Sequence, residues 1–303
     1  MTGRNFWKIM KYDELLKQGE SRLQEAGILE AASDAWILFE NVFHMNRSGF
    51  FMEKRTEIGK EEQPKALRYD QYIEERCRHK PVQYITGVWT FMGLEFEVNE
   101  HVLIPRFDTE CLVEETVRII RQFRRNGQEQ EEIRVLDLCT GSGCIAVSIK
   151  KICTDCKIDM SASDISKNAL DTARRNADRQ NVEVDVIHSD LFEHIGSDSK
   201  FDVIVSNPPY IRTGDILSLM PEVRDFEPLT ALDGDSDGLR FYRRIIEEGK
   251  AYLKIGGALL FEIGCDQGAE VRSLLEEQGY SEIQVLKDLA GLDRVITARK
   301  SGV

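Results

Sequence analysis

Val135-Leu136-Asp137-Leu138-Cys139-Thr140-Gly141-Ser142-Gly143-Cys144-Ile145-Ala146 is the stretch that decides the fold. It reads as an apolar strand, a tight turn of small residues, and the start of a helix. Gly141 and Gly143 let the backbone pass close to a ligand, and the helix start beyond them aims free N–H groups at the same spot. Asp164 follows about 20 residues later, at the end of the next strand, where a carboxylate can accept from both ribose hydroxyls of an adenosine moiety.

Working outward, short apolar strands recur at Ile133 to Leu138, Lys157 to Ala162, Val184 to Ile187, Phe201 to Val205, Ala258 to Ile263, Ile283 to Leu286 and Arg294 to Ala298. Helical stretches lie between them at Cys144 to Ile152, Ser166 to Arg179, Gly238 to Leu253 and Gln267 to Gln278. Strands separated by helices of this length pair in parallel through right-handed crossovers. The last two strands are joined by a turn without a helix, so one of them is expected to run antiparallel, as mixed sheets allow at an edge. The expected fold is therefore α/β and Rossmann-like, with a mostly parallel sheet of seven strands and an antiparallel edge. Arg121 to Glu132 is highly polar and reads as a helix end running into a solvated loop.

The first 80 or so residues differ in kind. Ala31, Ala35, Leu38 and Val42 recur at helical spacing, and Leu67 to Arg78 carries a second amphipathic pattern around Tyr72, Ile73 and Cys77. Pro81 closes this region. Trp89 to Val98 then alternates around a Met92-Gly93 turn, the pattern of a β-hairpin. The expected organisation is a small all-α domain over 1–84, a β-hairpin linker over 85–107 and an α/β domain over 108–303.

The chain has 303 residues with 42% hydrophobic content and a formal charge of −13. Its averaged field repels phosphate backbones, so no direct DNA binding is expected. The N-terminus lacks the apolar core of a signal peptide and no run approaches the ~18 apolar residues of a membrane span, so the expected location is cytoplasmic, with no membrane contact. Seven cysteines, an odd number without a signal, argue for reduced thiols. Cys153 and Cys156 form a C-x-x-C, but no second pair or nearby histidine completes a zinc site.

The glycine turn alone does not separate two cofactors, because Gly141-x-Gly143-x-x-Ala146 with a later acid also satisfies the dinucleotide fingerprint. Asp137 is the first discriminator. Just before the turn it would repel a pyrophosphate, but it suits the cationic methionine end of S-adenosylmethionine.

Phe201 to Val205 delivers Ser206-Asn207-Pro208-Pro209-Tyr210 to the carboxyl edge of the sheet, where open α/β folds place their chemistry. The residue before a proline is pushed out of the α region, and both prolines have fixed φ and no N–H. The result is a rigid clamp. The nitrogen lone pair of a primary amide or exocyclic amine is delocalised and poorly nucleophilic. The Asn207 side-chain oxygen and the Pro208 carbonyl can accept its two hydrogens, aligning the lone pair with a methyl donor and accommodating the positive charge that forms. The Tyr210 ring can stack on the planar target.

Two other features attract a functional reading. Asp233-Gly234-Asp235-Ser236-Asp237-Gly238 imitates the opening of a calcium loop but fails at position 12, which is Arg244, so it is expected to be a polar loop capping the next helix, and no metal is expected. Glu262, ending an apolar strand, is either functional or a paired carboxylate at a sheet edge.

With these residues in view, the chain resembles the HemK/PrmC family, the protein-(glutamine-N5) methyltransferases of peptide chain release factors. The resemblance runs through Arg78-His79-Lys80-Pro81-Val82-Gln83-Tyr84-Ile85-Thr86-Gly87, Val102 to Glu110, the Asp137 to Gly143 turn, Asn207 to Ile211, Phe226-Glu227-Pro228 with Ala231-Leu232, and Asp293-Arg294-Val295. It implies a class I S-adenosylmethionine methyltransferase sheet whose target is the glutamine of the Gly-Gly-Gln loop in class I release factors. It implies that Asn207, Pro208, Pro209 and Tyr210 bind that side chain, with Asn207, Pro208 and Tyr210 catalytic. It also implies that Cys139, Thr140, Gly141, Ser142, Gly143, Asp164, Asp190, Leu191 and Asn207 line the cofactor site, and that the helical N-terminal domain helps grip the factor. Two departures are visible: Cys139 stands where the family usually has glycine, and Phe107 replaces a common proline. The rival readings are an adenine or guanine amino-methyltransferase of nucleic acid, a nicotinamide oxidoreductase using the glycine turn, and a non-catalytic binding protein that retains the fold.

Overall fold

In a computed structural model, which describes residues 10–125 and 132–302, the chain falls into two units. The first runs up to Gly87 and takes in Pro221–Phe226 from much later in the sequence. It contains α1 (Tyr12–Glu25), α2 (Ala31–Phe43), α3 (Arg47–Glu53), α4 (Gln63–Cys77), α5 (Val82–Thr86) and, from the later segment, α9 (Pro221–Arg224). The four residues at helical spacing, Ala31, Ala35, Leu38 and Val42, are all buried in its core. In α4 the buried stripe is Ala66, Tyr69, Ile73 and Arg76, while Leu67 is exposed. Arg76 donates from Nε to Asp34 at 2.7 Å and from Nη2 to Glu222 at 2.8 Å, so the buried guanidinium has a carboxylate on each side. Pro81 does not end the helical region. It caps α5, because its fixed φ suits a helix start.

The second unit holds the hairpin and the sheet. The hairpin strands β1 (Val88–Phe91) and β2 (Leu94–Glu97) pair antiparallel. Met92 and Gly93 turn between them with φ of 50° and 72°, the two positive values that match the twist of a tight hairpin. The buried Asn176 side chain accepts from the Glu97 N–H at 2.7 Å and donates to its carbonyl at 3.0 Å, tying β2 to α8 (Lys167–Gln180).

The main sheet comprises β3 (Ile133–Leu138), β4 (Ile158–Asp164), β5 (Asp185–His188), β6 (Phe201–Ser206), β7 (Leu253–Glu262), β8 (Tyr280–Lys287) and β9 (Asp293–Lys300), in the order β5-β4-β3-β6-β7-β9-β8. The first five pair in parallel. β9 lies antiparallel between β7 and the edge strand β8. This is the Rossmann-like mixed sheet expected from the alternation of strands and helices. Every residue of β6 is buried, as a central parallel strand with both faces covered requires. Val135, Val203, Val205 and Leu260 face α6 (Glu110–Arg125) and α7 (Cys144–Ile152). Leu136, Ile204, Leu259 and Phe261 face α10 (Arg240–Tyr252) and α11 (Gly268–Glu277).

Several strands are longer than their apolar runs, among them β8, which begins at Tyr280, and β9, which ends at Lys300. β4 continues to Asp164, and β7 begins at Leu253, with an irregular register opposite Phe201 to Val203 near Gly256 and Gly257. Glycines that break a hydrophobic run conceal the start of such a strand. α6 supplies the helix end expected at Arg121, and residues 126–131 of the polar loop lie outside the described residues. Among the described residues no helix is long and apolar enough to cross a membrane.

Candidate active site

The turn after β3 is built from left-handed backbone. Cys139, Gly141 and Gly143 have φ of 59°, 55° and 78°. Gly143 precedes α7, and a Cβ there would sit 3.1 Å from the Ala173 Cβ, so glycine allows α8 to pack close. At Gly141 a Cβ would meet nothing within 4 Å, so the backbone there faces open space. Asp164, the last residue of β4, accepts from the Gly141 N–H and the Ser166 N–H, both at 2.9 Å. Burial pushes its carboxyl up, against the pull of those amides.

Asp137 does not meet the ligand end of the turn. It is fully buried and does not line the cavity. Its Oδ2 accepts from the Thr140 hydroxyl at 2.6 Å and from the Ala146 N–H at 3.3 Å, so it braces the turn from beneath and caps the first turn of α7. Oδ1 makes no hydrogen bond among the described residues, and burial raises the carboxyl to about 7. Its expected role as a partner for a cationic ligand is replaced by this internal one, because the residue before the turn points into the sheet core.

A cavity of about 370 Å³ opens above the turn, within the roughly 300–1,000 Å³ of small-molecule sites. Cys139, Thr140, Gly141, Ser142, Asp164, Asp190 and Leu191 line it on the turn side, and Asn207 and Pro209 line it beside β6. Gly143, Pro208 and Tyr210 are not on its wall. Leu191 is held at φ 49°, and Arg244 from α10 donates to Asp190 at 2.8 Å, fixing that corner. An acid anchored by two amides at the end of β4 and a glycine opening onto the cavity fit an adenosine-bearing cofactor.

Asn207 follows the last residue of β6. Its Nδ2 donates to the Thr109 hydroxyl at 3.4 Å, which leaves Oδ1, an acceptor only, for another partner. Thr109 is 2% exposed and sits in the short 3-10 turn Phe107–Thr109. Arg294 holds that turn, reaching Asp108 at 3.3 Å and Asp288 at 3.1 Å. Pro208 and Pro209 are buried. The Tyr210 ring packs on the core cluster beneath β6, and its hydroxyl donates to Glu262 Oε1 at 3.3 Å. Burial, the largest cause, pushes both groups up. The Glu262 carboxyl is pulled back by the Thr109 hydroxyl, the Arg294 guanidinium and the Tyr210 hydroxyl.

Several supporting residues escaped the sequence. The acidic loop at 233–238 is a strap behind Asn207 to Tyr210: Ile211 donates to the Leu232 carbonyl at 3.0 Å and Gly234 to the Ile211 carbonyl at 2.8 Å. A Cβ on Gly238 would lie 2.4 Å from the Tyr210 carbonyl oxygen, and one on Gly234 2.8 Å from the Tyr210 Cα. Both glycines therefore admit close backbone contact, a signal the calcium-like spacing disguised. Its acids are spent internally, Asp233 on the Thr213 hydroxyl and Asp237 on the Leu239 N–H and Arg243. Asp237 is pulled down to about 2 by Arg243 and that amide. Among the described residues no cluster suits a metal ion. Arg106 pairs with the buried Glu227, which brings together the Ile104 to Glu110 and Glu227-Pro228 segments.

Comparison with known proteins adds the following. Residues 14–87 match the family described as PrmC N-terminal domain, and residues 119–220 the Methyltransferase small domain. A release factor glutamine methyltransferase from Clostridium acetobutylicum is 39% identical over 97% of this chain and 100% of its own. One from Bacillus subtilis is 39% identical over 94% of this chain and 96% of its own. Among solved structures, the hMettl16 catalytic domain aligns with a TM-score of 0.53 at 14% identity, covering 100% of this chain and 98% of that one, a likeness of fold alone.

Proposed function

This chain belongs to the release factor glutamine methyltransferase family, and from that premise we propose that Asn207 and the rigid loop behind it hold the side-chain amide of a glutamine for methylation. The enzyme transfers a methyl group from S-adenosyl-L-methionine to the amide nitrogen, N5, of the glutamine in the Gly-Gly-Gln loop of peptide chain release factors. When bound, the cofactor supplies an electrophilic methyl on a sulfonium centre.

The observation that carries this reading is the Asn207 hydrogen bond to Thr109. With Nδ2 committed to a hydroxyl, Oδ1 is the atom presented to an incoming N–H. An amide NH2 whose hydrogens are taken by Oδ1 and the Pro208 carbonyl is held in one plane with its lone pair directed at the methyl donor, and the positive charge that builds on nitrogen meets two fixed dipoles. The proton released afterwards goes to water. Pro208 and Pro209 keep these acceptors in place without a competing N–H.

Cys139, Thr140, Gly141, Ser142, Asp164, Asp190, Leu191 and Asn207 line the cofactor site in this reading, and Gly143 shapes the turn from behind by letting α8 pack close. Asp164 accepts from the ribose hydroxyls. The helical region 1–84 contributes to recognition of the factor, 85–107 connects it, and 108–303 carries the transferase. The setting is the cytoplasm. The formal charge of −13 counts against the nucleic-acid alternative, since phosphate contacts need a basic surface.

Intact-mass measurement of a release factor incubated with enzyme and S-adenosyl-L-methionine tests the proposal. One added methyl, localised by fragmentation to the glutamine amide, is expected. An unmodified factor, together with methylation of adenine or guanine in nucleic acid, would reverse the assignment.

A further inference from the structure

The end of β7 and the turn that follows contact the catalytic loop at two points, neither on the cavity wall. β6 and β7 are paired in parallel with Ser206 opposite Phe261, so Glu262 stands one step further along, level with Asn207. Glu262 is 1% exposed. Its backbone is fixed by the Tyr242 hydroxyl, which donates to its carbonyl at 2.9 Å, and its Oε1 accepts from the Tyr210 hydroxyl at 3.3 Å. Gln267, which precedes α11, is 3% exposed. Its Nε2 donates to the Tyr210 carbonyl at 3.0 Å and to the Gly238 carbonyl at 3.3 Å, and its Oε1 accepts from the Gly264 N–H at 2.9 Å. One amide thus joins the catalytic loop, the strap behind it and the turn after β7.

Tyr210 is therefore gripped at its hydroxyl and at its carbonyl. Between it and Asn207 lie only two prolines, whose fixed φ transmits a displacement of one end to the other. Such a loop has little slack, and a misplacement of about 1 Å near reacting atoms can lower turnover about a hundredfold.

We infer that Glu262 and Gln267 are positioning residues that hold Tyr210 at its two ends and so set the direction of the Asn207 amide. This rests on the reading of Asn207 as the acceptor for the target amide. Tyr210 then acts as a strut, its half-buried ring packed against the core. Glu262 acts as a hydrogen-bond acceptor, a task its charge does not enter.

The test compares kcat, KM for release factor and the Kd of S-adenosylhomocysteine in the full-length enzyme and in Glu262→Gln, Glu262→Ala, Gln267→Glu, Tyr210→Phe and the Glu262→Ala/Tyr210→Phe double variant. Assays are run below each variant's measured melting temperature. Glu262→Gln keeps an oxygen for the tyrosine and is expected within about threefold of the parent, while Glu262→Ala and Tyr210→Phe each lose about tenfold or more in kcat. Gln267→Glu keeps the Gly264 bond but turns an acceptor toward the Tyr210 carbonyl, and loses about as much. The Kd stays within about twofold throughout, and the double variant is no worse than Glu262→Ala alone, because that change already removes the acceptor of the Tyr210 hydroxyl.

If Glu262→Gln falls as far as Glu262→Ala, the carboxylate charge matters and the inference is wrong. Additive losses in the double variant, or undiminished kcat in Tyr210→Phe, also overturn it. Should Glu262→Ala fail to fold, the Tyr210→Phe and Glu262→Gln results still decide. A parent enzyme that leaves the release factor unmethylated fails the proposed function instead, before any variant is compared.

Discussion

Replacing Asp137 by asparagine should flatten the dependence of stability on pH. In the fold this carboxyl is fully buried and raised from 3.8 to about 7, by burial first and by the nearby Asp164 last, against the Thr140 hydroxyl and the Ala146 amide. A carboxyl raised in the folded state contributes stability that is fully present below its unfolded value and is lost as pH rises through its folded value. The window is therefore 3.8 to about 7, and the loss runs toward alkaline pH. Three units at about 1.36 kcal/mol each amount to about 4 kcal/mol, of which more than half falls between about pH 5 and pH 8. Asparagine keeps an oxygen for Thr140 and Ala146 but places an NH2 where Oδ1 has no partner among the described residues, and that unmet donor costs about 1–3 kcal/mol at every pH. The absolute offset is thus uninformative and the slope is the test. Urea unfolding of cofactor-free enzyme across this range should show the parent losing about 2–3 kcal/mol relative to Asp137→Asn toward the alkaline end. Parallel curves for the two proteins would refute the reasoning.

Three further outcomes follow from the site. Asn207→Ala should keep S-adenosylhomocysteine affinity in calorimetry while turnover falls about a hundredfold or more; unchanged turnover would remove the amide acceptor. Asp164→Ala should weaken S-adenosylhomocysteine binding by about tenfold or more, since a charge-assisted hydrogen bond contributes about 1.5–3 kcal/mol, and an unaltered Kd would take Asp164 out of the site. Cys139→Gly should relieve about 1 kcal/mol of left-handed strain at φ 59° and tighten S-adenosylhomocysteine up to about fivefold; weaker binding in that variant would mean the thiol's packing outweighs its strain.

The sheet was legible because its code is local. Buried parallel strands are short apolar runs, and β3, α7 and β6 announce themselves by composition and by the turn between them. What escaped is tertiary. Asp137 reads as a ligand partner from its place beside the glycine turn, but the alternation along β3 carries its side chain inward, to Thr140 and the start of α7. Tyr210 reads as a stacking platform, and its half-buried ring packs against the core with its hydroxyl on Glu262, 52 residues away, a contact no stretch of sequence announces. The strap at 233–238 offers the spacing of a calcium loop. Its glycines in fact answer to the backbone of Tyr210, a contact no window of sequence contains. Thr109 gave no signal beyond its membership of the Ile104 to Glu110 segment, because a single buried hydroxyl resembles any other core threonine until its partner is known.

The central claim is that the Asn207 oxygen receives a hydrogen of the target amide. A crystal structure with S-adenosylhomocysteine and a Gly-Gly-Gln peptide measures this distance directly. The glutamine nitrogen is expected within hydrogen-bonding reach of Asn207 Oδ1, with Nδ2 still on Thr109. An Asn207 side chain rotated so that Nδ2 faces the peptide, or a glutamine lodged elsewhere in the cavity, would contradict it.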